Sequence, residues 1–577
     1  MRTSLWASTL AAVPFMSAGS QVGPPPGRVT PSGRITTTCA GQRIDDILII
    51  TAAPSVANLN RVPALQRLAR ALHATTRGEL ISRFLLLESG DKCSELRRAE
   101  SERILRAQPF IADADIYVIP SDRGGVDLEV RTSDEASIVL GAALRGKAPM
   151  ITSLLLGNAN LGGEGVFAAA AWRYGEGFRN GFSGRLIDHQ FSGETVVATL
   201  EGERASRGGT WRAELMRPFY TDLQRVAWRA QSGMTNTLVE FRRPDDLRPQ
   251  VSLERNYFDV GGIVRVGSPG HLSLFGLSVS GDDETSGTRL TTGDTGVVTD
   301  RGGLERAYPH HRVARANLLL GVRNIRFVRR DGLDALTATQ DVPIGFQIGG
   351  LIGRSVSALG SKDDDMFMSA DVYAGATSGM NLVRLQARGE ARRQMGADNW
   401  DGILNTARLT YYLQSSTEHL HQVRVEWSGT YRQHTPFQLL FGIPEGGVRG
   451  FEKSDLAGGQ RLVGHFEERF VLGQVLNQAD AGIAFFSDIG RQWAGDVPFG
   501  TTTPIKGSVG LGILAAIPPR SGRMWRADIA FPLGSGANSR WTVILTNVDR
   551  ASFVFREPRD VADIRDPTVP TSIFAWP

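Results

Sequence analysis

The sequence predicts a mainly β protein: a transmembrane antiparallel β-barrel of about sixteen strands, preceded by a small α+β domain. Three observations predict it. From about residue 136 the chain breaks into short segments that alternate polar with apolar residues between Gly, Asp, Asn and Pro turns. The N-terminus carries a cation, Arg2, an apolar stretch over residues 5–15 and then Ser17-Ala18-Gly19-Ser20, the arrangement of a secretory signal. No later apolar run approaches the roughly 20 residues that a spanning helix needs. A chain of this kind enters a membrane only as a closed barrel, because lipid offers no partner to an unpaired backbone group.

Taken in order, residues 1–20 form the signal; a lone N-terminal anchor is the alternative, against which the apolar run is too short. Residues 21–40 read as a linker, since residues 22–33 are rich in Pro and Gly. The α+β domain spans residues 41–134. Ile44-Asp45-Asp46-Ile47-Leu48-Ile49-Ile50 reads as a strand, and Leu65, Leu68, Ala69 and Leu72 form a helical stripe. An apolar run over residues 80–87 leads into the turn Glu88-Ser89-Gly90-Asp91. Residues 94–106 carry Leu96, Ala99, Ile104 and Leu105 at near-helical spacing and stop before Pro109. Strands over residues 114–119 and 126–131, joined by Ser121-Asp122-Arg123-Gly124-Gly125, make a hairpin. The chain has 2 cysteines. In an exported chain this favours a disulfide between Cys39 and Cys93, two separate buried thiols being the alternative.

The barrel spans residues 135–556. Val383-Arg384-Leu385-Gln386-Ala387-Arg388-Gly389-Glu390-Ala391-Arg392 alternates apolar or Gly residues with charges and amides, as do residues 407–414 and 423–432. A strand sends successive side chains to opposite faces, so one face is greasy and the other charged. That suits lipid outside and a wet lumen inside. A soluble sandwich alternates in the same way, yet ~420 residues is long for one; at about 26 residues per strand and connection it supplies about sixteen strands. The last strand falls at residues 540–548 or 551–555, and residues 557–577 remain as a tail ending Ala575-Trp576-Pro577.

The 577 residues include 64 Lys+Arg against 60 Asp+Glu, a formal charge of +4 spread along the chain, which excludes a nucleic-acid partner. Ser278, Ser280 and Ser535 lie near glycines, but none sits in a Gly-x-Ser-x-Gly elbow. Gly507-Ser508-Val509-Gly510-Leu511-Gly512 has no following lysine to make it a phosphate loop. His419 and His421 share a strand face without a recognisable third metal ligand and read as lumen or loop-edge polar residues; His310-His311 reads the same way. No enzyme activity, metal or cofactor is expected.

Phe441-Gly442-Ile443-Pro444-Glu445-Gly446-Gly447-Val448-Arg449-Gly450-Phe451 sets one arginine and several aromatics among glycines that permit close backbone approach. Its Gly447, Val448, Arg449, Gly450 and Phe451 resemble the Val-Arg-Gly-Phe/Tyr loop of the bacterial surface antigen family, the BamA-TamA-like superfamily of outer-membrane assembly and translocation barrels. Gly464-His465-Phe466-Glu467-Glu468-Arg469-Phe470 resembles that family's Glu-x-Arg strand, and Phe485-Phe486-Ser487-Asp488-Ile489-Gly490 its aromatic-Asp-x-Gly strand. Residues 508–512 and 526–533 resemble its penultimate strands, and residues 41–134 a single POTRA domain, chiefly through Glu100-Ser101-Glu102-Arg103-Ile104-Leu105-Arg106.

The resemblance implies a loop folded into the lumen, with Arg449 against Glu467 and Asp488. Such an arginine needs a carboxylate partner to offset its desolvation. It further implies a barrel of the bacterial outer membrane with its N-terminal domain in the periplasm. Its function would be to insert or assemble outer-membrane proteins or to translocate polypeptides; the partners would be unfolded outer-membrane or secreted polypeptide clients and outer-membrane lipids. A dedicated secretion transporter for one partner and a passive solute channel are the alternatives. Two features depart from the family pattern: the tail after the last strand, where such barrels commonly end in an aromatic, and the room for only one docking module.

Overall fold

A computed structural model describes residues 29–53, 74–144, 151–175, 178–205, 208–243, 249–287, 308–396, 398–443, 446–452, 454–537, 540–548 and 557–567. The expected signal, the stripe Leu65, Leu68, Ala69 and Leu72, and the candidate strand at 551–555 lie outside the described residues.

The N-terminal domain contains strands β1 (Ala40–Ala52), β2 (Lys92–Ser94), β3 (Ile111–Pro120) and β4 (Val126–Asp134), with helices α1 (Gly78–Ser82) and α2 (Glu95–Arg106). Its sheet has the order β2-β1-β4-β3. β1 runs parallel to β4, while β3 and β4 form the expected antiparallel hairpin. Alternate residues of β3 and β4, Ile116, Val118, Leu128 and Val130, pack with Ile104 and Leu105 of α2 and Ile44 of β1 into one core. Cys39 and Cys93 are disulfide-bonded, with Cα atoms 5.2 Å apart, tying the entry of β1 to β2.

One expectation is corrected here. Residues 29–35 instead fold into a tight turn, in which the Thr30 N–H donates to the Arg34 carbonyl at 2.7 Å and Val29 bridges Ile35, and the stretch to residue 40 is docked against the domain. Ser32 Oγ donates to Glu129 Oε2 at 2.7 Å, and the Thr37 N–H donates to the Val118 carbonyl at 2.8 Å. The outer edge of β3 offers the backbone partners that composition alone cannot reveal.

From Ile138–Leu144 to Thr542–Val548 the chain forms a closed antiparallel barrel whose first and last strands complete the ring. Among the described residues it has twenty strands where about sixteen were expected. The length average fails because some strands are short and tightly joined: Val197–Ala205 has 9 residues and, two residues on, Gly208–Arg217 has 10. Strand faces separate as the alternation predicts. In Gln460–Val475, Arg461, His465, Glu467 and Arg469 are buried inside, while Leu462 and Phe466 are exposed outside. Phe275, Leu277, Val425 and Trp427 extend this outer apolar surface, which is suited to lipid. No helix among the described residues is long and apolar enough to cross a membrane.

The N-terminal domain rests on the barrel end where the first strand begins, called here the near end. α2 makes the contact. Arg106 holds Asp341 through two 2.8 Å hydrogen bonds, Glu102 pairs with Arg329 at 2.5 Å, and the Arg103 guanidinium lies 4.3 Å from the centre of the Phe327 ring. The connection at residues 332–338 also turns inward at this end. Leu333 packs with Leu382, Tyr412 and Leu420, whereas Leu336 reaches Ala484, Leu514 and Ala516 on another stretch of wall.

An even number of antiparallel strands returns the chain to the near end after Thr542–Val548. Residues 557–566 then lie inside the barrel. Val561 and Ile564 pack with Leu404, Phe437, Leu439 and Val497, and Asp566 is fully buried between Arg315 and Arg392.

Candidate functional site

The connection between strands His419–Tyr431 and Gln460–Val475 enters the lumen through a short pairing of Leu439–Leu440 with Ala457–Gly458. Its tip doubles back tightly. The Val448 N–H donates to the Phe441 carbonyl at 3.0 Å, and the Phe441 and Phe451 rings meet edge-on with centres 5.3 Å apart. Glycine is required at two points. A Cβ on Gly442 would lie 2.0 Å from the Phe451 carbonyl group, and Gly450 has φ +90°, a left-handed conformation that strains other residues. Phe441, Val448, Phe451 and Val463 form the buried apolar base of the loop.

Arg449 projects from this base onto the inner wall. Its Nε and Nη2 donate to the two oxygens of Asp488 at 2.7 and 2.8 Å, its backbone N–H donates to the same carboxylate at 3.2 Å, and Nη1 donates to Asp528 Oδ2 at 3.0 Å. The guanidinium carbon sits 3.4 Å from the centre of the Phe486 ring. Asp488 also meets His465 Nδ1 at 2.9 Å. Wall glycines clear the space: a Cβ on Gly490 would come within 2.6 Å of Val448, one on Gly510 within 2.2 Å of Phe486, and one on Gly512 within 2.3 Å of Asp528.

Of the expected partners, Asp488 binds Arg449 directly and Glu467 does not. Glu467 is held by Arg469 Nη2 at 2.9 Å and Arg526 Nη1 at 2.6 Å, and Arg526 in turn binds Asp528 at 2.7 Å. Charges therefore alternate from Asp488 through Arg449, Asp528 and Arg526 to Glu467 and Arg469. Asp528 and Arg526 were missed as site residues. Their signal was present in the alternation of Arg526-Ala527-Asp528, but the pairing skips the intervening strand Lys506–Ala516. Each carboxylate of this network faces a guanidinium, so the arrangement can position a loop and fix charge.

The tail joins the site. A Cβ on Gly446 would lie 2.4 Å from Pro558, and Asp560 Oδ2 accepts from the Leu440 N–H at 2.9 Å and from Arg461 Nη1 at 2.6 Å. Alongside lies a cavity of about 1200 Å³, lined on one side by Arg559, Asp560 and Asp563 and on the other by wall residues such as Arg173, Glu203 and Arg212.

His419 and His421 do have a third potential ligand, Glu468 on the neighbouring strand, with one ligand atom from each residue within 4.8 Å of the others. They share the strand face of the exposed Val423 and Val425, which is the outer face and corrects the lumen reading. This trio is the set that offers metal-ligand geometry among the described residues; His419 Nε2 meets Glu468 Oε1 at 2.9 Å.

No family model and no curated protein matches this chain. Solved structures similar to it include BamA from Haemophilus ducreyi lacking POTRA domains 1-3, at 11% identity over 88% of this chain and 85% of that one, with a TM-score of 0.37. CdiB from Escherichia coli has 10% identity over 87% of this chain and 75% of its own, with a TM-score of 0.44. CdiB from Acinetobacter baumannii has 10% identity over 88% and 74%, with a TM-score of 0.39. At such distances the activity has to be read from the residues of this chain.

Proposed function

We propose that the protein is a bacterial outer-membrane barrel that inserts outer-membrane proteins or translocates polypeptides, with its N-terminal domain in the periplasm as the client-docking module. The observation that carries this is the loop held to the inner wall by Arg449 through Asp488 and Asp528, inside a lumen whose near end is fixed to a small α+β domain. A loop clamped at its tip and surrounded by a charged, partly filled lumen suits a controlled polypeptide route.

The docking module also has a physical basis for capture. Among the described residues, β1 beyond Arg43 has no strand partner on the side opposite β4. A client strand can add there through backbone hydrogen bonds. The apolar exterior takes outer-membrane lipids as its solvent.

Depletion of the protein followed by outer-membrane proteomics tests the reading. Broad loss of barrel proteins is the expected result for assembly, and loss of one exported protein identifies a dedicated secretion transporter. An unchanged outer membrane and secretome overturn the proposal.

A further inference from the structure

The tail is held by ionic partners from the wall as well as by two pairs of its own, Arg565 with Glu557 and Arg559 with Asp563. Glu557 meets Thr406 Oγ1 at 2.8 Å and Arg388 Nη1 at 3.4 Å. Asp560 is the carboxylate on Arg461. Arg565 Nη1 donates to Glu390 Oε2 at 3.0 Å, and Asp566 Oδ2 accepts from Arg315 Nη1 at 3.0 Å and Arg392 Nη2 at 2.5 Å. Between these charges, Val561 and Ile564 fill the apolar pocket described above. Four arginines and one glutamate of the wall thus receive a segment that itself carries four carboxylates, Glu557, Asp560, Asp563 and Asp566, against Arg559 and Arg565, with Arg315 shared with Asp365 and Arg388 with Asp371. The sign of the charge is matched.

Three further features distinguish this from ordinary core packing. The segment belongs to no barrel strand, having turned back into the lumen after the ring is complete. It lies beside the cavity of about 1200 Å³, so another chain has room to approach it. It touches the clamped loop at Gly446 and Leu440 and the strand that follows it at Arg461, so its departure alters that loop's surroundings.

We propose that the lumen contains a receptor for a short acidic peptide segment, filled here by residues 557–566 of the chain itself and exchanged for a client segment of the same chemistry during transport. The exchange rests on the polypeptide-handling reading above, whereas the receptor does not. The cis segment then acts as the resting occupant. A client must carry carboxylates flanking a pair of apolar side chains to displace it.

A chain ending at residue 556, purified in lipid nanodiscs and shown by circular dichroism to be folded, is titrated with a fluorescent synthetic peptide of residues 557–567. Saturable binding is expected, at least tenfold weaker to the full-length protein and abolished by R315E combined with R392E in the truncated chain. A folded truncated barrel that does not bind, or binds equally after both reversals, overturns the receptor.

Should truncation prevent folding, full-length D566R provides the test in planar bilayers. Conductance is expected to rise severalfold and to fall back when R392D is added; unchanged conductance overturns the proposal. Peptide binding in a protein whose depletion leaves the outer membrane and secretome unchanged keeps the receptor and removes client exchange. Absence of binding despite a depletion phenotype removes the receptor alone.

Discussion

Arg449 is bound by two carboxylates from two strands, and the geometry decides which matters more. Asp488 engages it bidentately and also receives the backbone N–H, whereas Asp528 accepts one hydrogen bond and shares its charge with Arg526. Removing one partner of a buried pair costs about 3–5 kcal/mol because the other charge stays desolvated. R449A should therefore leave the barrel inserted but impair function, and R449K should recover little, since a point charge cannot match the fork. D488N should be more damaging than D528N. Complementation of a depleted strain measures all four; full activity of R449A contradicts this role for the loop. From the sequence, Arg449 and Asp488 were legible because each sits in a short motif. Glu467 was placed one step too close, and Asp528 was unread, because side chains that meet across an intervening strand leave no local spacing to recognise.

At the scale of elements, α2 shows what periodicity does and does not tell. Apolar spacing located the helix but not the role of its charges: Arg98, Glu102 and Arg106 are buried, and Glu102 and Arg106 tie the domain to the barrel rim through Arg329 and Asp341. A rim 235 residues downstream in sequence supplies Asp341, and nothing near the helix announces it. D341N should loosen the domain from the barrel, read as faster limited proteolysis of the N-terminal domain with an intact barrel fragment. The disulfide links positions 54 residues apart, for which chain entropy gives about 4 kcal/mol. C39S with C93S should lower the unfolding free energy of the domain, read from urea denaturation, by that amount and leave the barrel unaffected.

A pH effect belongs to the same domain. Burial pushes the Asp134 carboxyl up to about 6, although it accepts the Thr76 N–H, and burial together with Asp113 and Glu102 raises Asp115 to about 6 as well. A folded pKa above the unfolded 3.8 means a contribution complete below about pH 4 and lost as pH rises through about 6. Domain stability should fall over that window, and D134N should flatten the fall. An identical slope in D134N would show that Asp134 does not carry it.

For the whole molecule, alternation established a barrel but not its strand number, closure or contents. Those depend on which distant segments pair, and an average of residues per strand passes over hairpins as short as those near residue 206. The inward path of the tail was equally hidden, because a lumen is a solvent that accepts polar and apolar residues alike. The same principle governs the near end. Leu333 and Leu336 anchor one short connection to two separate stretches of wall, with Asp334 bound by Arg384 Nη2 at 2.8 Å and the Tyr412 hydroxyl at 2.6 Å, and Arg469 Nη1 on the Leu333 carbonyl at 2.7 Å. L336A should remove about 2–5 kcal/mol of burial and cavity energy from that anchor, and L336D should release it by placing an anion among Ala484, Leu514 and Ala516. With the tail intact, both variants should raise bilayer conductance, L336D more, while L277A on the lipid face should not. If L336D conducts like the unmodified protein, the connection at residues 332–338 does not restrict the near end, and the tail and clamped loop alone limit passage.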